Sequence, residues 1–114
     1  MITNTTNIGG DNMKKYTLYI GLNDKDTKNQ EITTLAAYKI ATNVFVQYIG
    51  GATIYESKGV YTRNNGDIVV ENTLVCIVFS DDPEAIKKAA TTLKTAFNQE
   101  SIAIESTETN SIFF

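Results

Sequence analysis

Histidine is absent from this 114-residue chain, and so is tryptophan. The missing imidazole removes the commonest general base and the commonest metal ligand, so neither a Ser-His-Asp relay nor a Cys/His metal set can be assembled. Cys76 is the only cysteine. It excludes a disulfide within the chain and fits a reducing, cytoplasmic compartment. Lying inside Leu74–Phe79, it reads as a small buried hydrophobe rather than a nucleophile. Arginine occurs once, at Arg63, and 13 acidic residues outnumber 10 basic ones to give a net charge of −3. That balance argues against a nucleic-acid partner, whose backbone demands clustered cations. No apolar run reaches membrane-spanning length and no signal-peptide pattern opens the chain, so no membrane partner is expected. Gly9-Gly10 and Gly50-Gly51 lack the strand, the Gly-Lys-Ser/Thr ending and the helix of a phosphate loop. No cofactor is expected.

What is there is a soluble composition, 42% hydrophobic and 20% charged, in a length that suits one domain. Residues 1–13 are polar, rich in Asn, Thr and Gly, and read as a disordered leader, with Met13 as a second possible start. A single α+β domain is expected over 14–106, followed by a tail at 107–114 that ends in Ile112-Phe113-Phe114. Strand one, about Lys15–Leu22, alternates Tyr16, Leu18, Ile20 and Leu22 on one face with Thr17 and Tyr19 on the other. Helix one is expected over about Glu31–Tyr48, with Ile32, Ala36, Ile40 and Val44 on a broad apolar stripe that Gly50-Gly51 ends. Strand two, about Ala52–Arg63, contains Gly59 as a candidate bulge. Asn64-Asn65-Gly66-Asp67 then signals a hairpin into strand three, about Ile68–Phe79, whose unbroken apolar stretch predicts a central place. Helix two starts at an Asp82 cap followed by Pro83 and Glu84, and buries Ile86, Ala89, Ala90, Leu93 and Phe97. Strand four is short, about Ser101–Glu105. The order β-α-β-β-α-β predicts a split βαβ, ferredoxin-like sandwich: a four-stranded antiparallel sheet with both helices on one face. The other face would carry Thr17, Tyr19 and Tyr55, neutral and aromatic, a surface for another subunit or a ligand.

Two clusters carry candidate chemistry. Tyr61-Thr62-Arg63 sets an aromatic face beside the only guanidinium, which can stack a base and fork-bond a phosphate; the plain alternative is a strand end with a solubilising arginine. Asn98-Gln99-Glu100-Ser101 is dense in amide and hydroxyl groups that read the edges of bases and sugars, or else forms a polar turn with a helix C-cap. Asp24 and Asp26 depart from a calcium loop at Asn29 and Leu35, and Asp81-Asp82 is explained by helix capping. The ligand-binding candidates are therefore Tyr61, Arg63, Asn98, Gln99 and Ser101, with no catalytic or metal residue.

The segments Tyr16–Asp24, Glu71-Asn72-Thr73-Leu74 and Asn98–Ala103 together resemble small phage and prophage proteins of the Thoeris anti-defence type. The resemblance covers about Met13 to Glu105. It implies a non-catalytic sponge that binds glycocyclic ADP-ribose between subunits of a homodimer or larger homo-oligomer and leaves the ligand intact. The alternatives of other classes are an interaction module that docks through its sheet face and a small ligand-processing enzyme using Tyr or Glu chemistry. One feature departs from the sponge: a pyrophosphate ligand would meet an acidic chain with a single arginine.

Overall fold

The computed structural model describes residues 13–111 and 113. The expected leader, Met13 apart, and the tail residues Ile112 and Phe114 lie outside the described residues. Six elements follow the expected order: β1 (Lys14–Gly21), α1 (Thr34–Tyr48), β2 (Thr53–Thr62), β3 (Ile68–Ser80), α2 (Pro83–Ala96) and β4 (Ala103–Glu108). They build one sheet in the order β2-β3-β1-β4, antiparallel throughout. The two most apolar strands, β1 and β3, are central, as their composition demanded, because a central strand has no exposed edge to solvate.

Alternation along β1 sends Tyr16, Leu18, Ile20 and the following Leu22 into one core with Leu74, Cys76 and Val78 of β3. The helices close it with Ala37, Ala41, Val44 and Phe45 from α1 and Ile86, Ala89, Ala90 and Leu93 from α2. Ala37, Ala41 and Ala89 expose no area, so the packing leaves no space for larger side chains there. The opposite sheet face is open, and Tyr19, Tyr55 and Tyr61 are 40–50% exposed on it. Phe113 stands edge-on to Phe79, ring centres 5.8 Å apart.

Helix two begins as read: the Asp82 carboxylate accepts the Glu84 and Ala85 N–H groups at 3.1 and 3.2 Å, and Pro83 fills the first turn. Several details differ from the sequence reading. Helix one starts at Thr34, not near Glu31, because the Thr33 hydroxyl caps it by accepting the Ala36 N–H at 3.1 Å. Strand one is shifted by one residue, to Lys14–Gly21. Strand four extends to Glu108, beyond the expected domain end at 106, because the free edge of β1 from Lys14 onward pairs with it. No bulge occurs at Gly59, which pairs in unbroken register with Glu71. The glycine is there for room: a Cβ on it would stand 2.9 Å from Thr73 Oγ1. No helix among the described residues is long and apolar enough to cross a membrane.

Candidate functional site

Four pieces of chain meet at one end of the sheet: the loop after β1, the end of β2, the start of β3 and the α2–β4 connection. Between them lie two clefts, of about 190 and 500 Å³, which share Lys28, Tyr61 and Glu100. Joined, they are of the size that small-molecule sites occupy. Gln99, Ser101, Glu71 and the loop residues Asn23 to Lys25 line the smaller cleft, while Arg63 and the hairpin asparagines line the larger.

The two clusters singled out in the sequence are thus brought together, although they are far apart along the chain. Tyr61 lies between the clefts, Arg63 in the larger one, Gln99 and Ser101 in the smaller. Asn98 plays another part. It adopts a left-handed φ of 47° after α2 and its amide donates to Asp24 Oδ2 at 3.0 Å and Asp26 Oδ2 at 2.8 Å, tying the loop after β1 to the end of α2. Gln99 reinforces the tie, donating to the Asn23 carbonyl at 2.7 Å. Its amide nitrogen is therefore committed to the scaffold. Hydrogen bonds from the Thr27 N–H, the Asn98 amide and the Asp26 N–H, in that order, hold the Asp24 carboxyl below its ordinary range.

Three residues that were not singled out as site residues enter the clefts. Glu71, half-buried on the open face, accepts the Asn23 N–H at 3.0 Å through Oε2. Glu100 borders both clefts, as does Lys28, whose ammonium donates to the Lys25 carbonyl at 2.6 Å. The lining therefore carries Asp24, Glu71 and Glu100 against Lys25, Lys28 and Arg63. Matched charges of both signs suit a zwitterionic ligand with a cationic centre. A pyrophosphate, negative throughout, would meet the three carboxylates together with the three cations. Among the described residues, no group of three or more Cys, Asp or Glu converges as a metal site would require.

Residues 15–113 match the family described as protein of unknown function DUF3574. The chain belongs to that family. The description names no anti-defence family. No curated protein matches the sequence. Among solved structures, the chain is similar to a phage SAM lyase in complex with S-methyl-5'-thioadenosine, at 22% identity and TM-score 0.70, covering 92% of this chain and 88% of that one. The apo form of a phage SAM lyase gives 21% identity and TM-score 0.69, with 100% and 91% covered. CutA from Synechococcus elongatus PCC7942 is more distant, at 12% identity and TM-score 0.55, with 85% and 76% covered. At these identities the likeness establishes the fold. It corrects one expectation: the fold read as that of a non-catalytic protein is one that carries a lyase, so the architecture does not argue against catalysis.

Proposed function

We propose that this chain is a phage enzyme that processes a small sulfonium nucleoside of the S-adenosylmethionine type, the ligand-processing alternative and not the sponge. The observation that carries the reading is the balanced charge around Tyr61, in clefts at one end of a fold shared with a phage SAM lyase. S-Adenosylmethionine carries a sulfonium, an ammonium and a carboxylate. Glu71 and Glu100 face the cationic groups, the Tyr61 ring offers its π face to the sulfonium, and Lys28 or Arg63 takes the carboxylate. In lyase chemistry the bond between sulfur and the four-carbon amino-acid arm breaks and its electron pair stays on sulfur. The nucleoside leaves as a neutral thioether, S-methyl-5'-thioadenosine. The arm balances the charge by losing a proton or by closing onto its own carboxylate, and neither route consumes water. Holding the cation contributes affinity; rate requires that the same groups favour the departing arm more than the bound one.

Self-association belongs to the proposal as well. The tyrosines of the open face and the exposed Leu35 and Val46 of α1 are the surfaces it would use. A monomeric mass by light scattering at working concentration removes that part. The main test is incubation of the purified chain with S-adenosylmethionine, followed by chromatography and mass spectrometry. Accumulation of S-methyl-5'-thioadenosine that Tyr61→Ala abolishes supports the reading. Intact S-adenosylmethionine after prolonged incubation with folded protein refutes it.

A further inference from the structure

Glu71 stands on the open sheet face between two glycines. The register places Gly59 directly opposite it on β2, and Gly21, the partner of Thr73, diagonally across on β1. A Cβ on Gly21 would lie 2.5 Å from Glu71 Oε1 and 2.7 Å from both Cδ and Oε2. The carboxylate therefore occupies the volume that any side chain at position 21 would need. On the other side, a Cβ on Gly59 would approach Glu71 Cγ only to 3.7 Å, ordinary contact distance, so the stem is not the part that is crowded. The Asn23 N–H at 3.0 Å fixes the far oxygen. Two restraints, a bare backbone beneath and one donor ahead, hold the carboxylate where it lines the smaller cleft with Tyr61 and Glu100.

We propose that Gly21 is a positioning residue for Glu71: it is glycine so that the carboxylate can lie over β1 and take the Asn23 N–H, aimed into the cleft. As far as activity is concerned, this rests on the sulfonium reading above. Gly21 does not have a positive φ, so its backbone admits any residue, and what a methyl group would strike is the far end of a flexible side chain. Gly21→Ala is therefore relieved when the carboxylate swings away. The consequence falls on the site and not on the fold.

The test has one arm independent of activity. In ¹⁵N-labelled wild type, the Asn23 amide responds slowly to solvent exchange because Glu71 accepts its N–H; in Gly21→Ala, as in Glu71→Ala, that slow response is lost. Gly51→Ala, where a Cβ meets nothing within 4 Å, is the control and keeps it. The second arm is turnover of S-adenosylmethionine. Gly21→Ala lowers kcat/KM about tenfold in the wild-type background, yet adds less than about twofold to Glu71→Gln, because the two act through one group. An unchanged Asn23 response in Gly21→Ala overturns the proposal whatever the turnover, and so do losses that add fully in the double variant. If wild type turns over no S-adenosylmethionine, the lyase reading falls and the amide response alone decides whether Gly21 positions Glu71.

Discussion

Glu71→Gln separates the charge of this side chain from its shape. Glutamine retains the length of the side chain and an oxygen that accepts the Asn23 N–H, so the scaffold contact survives and stability changes by less than about 0.5 kcal/mol. The electrostatic loss can be sized. A unit cation held about 5 Å from a carboxylate, at an effective dielectric near 20, is attracted by roughly 3 kcal/mol. Glu71 is only half-buried and the cleft is open to solvent and salt, so about half of that survives, near 1.4 kcal/mol or tenfold in affinity.

The assay is calorimetry with two uncleavable analogues: S-adenosylhomocysteine, whose sulfur is neutral, and its isostere with a protonated amine in place of sulfur. Wild type should prefer the cationic analogue by about tenfold, and Glu71→Gln should bring the two within about twofold while leaving the neutral one unchanged. Equal weakening of both analogues would refute the reasoning, since it would make Glu71 scaffold. A preference that persists in the variant would assign the cation to Glu100 instead.

Three further outcomes follow from the geometry. Burial pushes the Cys76 thiol up to about 12, so the native protein should resist alkylation in mildly alkaline buffer and react at once in denaturant; rapid native labelling would contradict its place in the core. The Asp24 carboxyl titrates below its ordinary 3.8, so its stabilising contribution is complete above that value and is lost as pH falls through the lower, folded-state value. Asp24→Asn should accordingly flatten the acid end of the stability profile, and an unaltered profile would show that its hydrogen bonds carry no net weight. Asp82→Ala removes the acceptor of two N–H groups and should cost about 1 kcal/mol in urea unfolding with unchanged m; no loss would mean that Pro83 alone sets the start of α2.

Where burial imposes a period, the architecture is legible in the sequence. The alternation of Tyr16, Leu18 and Ile20 and the run Leu74–Phe79 mark the two central strands, and Asp82-Pro83-Glu84 marks a helix start, because each is a local answer to a local requirement. Where nothing is buried the period vanishes: all six residues of β4 are exposed, so Thr107 and Glu108 read as tail although they pair with β1. Gly59 shows a different failure. A glycine within a strand can mark a bulge or a close approach, and only the register, which puts Thr73 Oγ1 and Glu71 around it, tells which. Glu71 was passed over for the same reason. As one acidic residue at the start of an apolar strand it looks like a solubilising end; its significance comes from Gly21, fifty residues earlier, lying diagonally beneath it.

A missing histidine does not by itself exclude a lyase. A missing general acid excludes reactions whose leaving group must be protonated, such as an amine or an alkoxide. A sulfonium leaves as a neutral thioether and needs no proton, so departure of the leaving group requires no histidine. What such a substrate does need is a site that tolerates positive charge without neutralising it permanently. In the lyase reading, fixed carboxylates offset by nearby lysines meet that need: Glu71 and Glu100 would draw the cation in, and Lys25 and Lys28 would keep the net field of the cleft near zero, so that loss of the charge on reaction is not strongly opposed. The balance can be tilted from either side. Lys25→Met should tighten binding of the cationic analogue while slowing turnover, and if both change in the same favourable direction the balance argument is wrong.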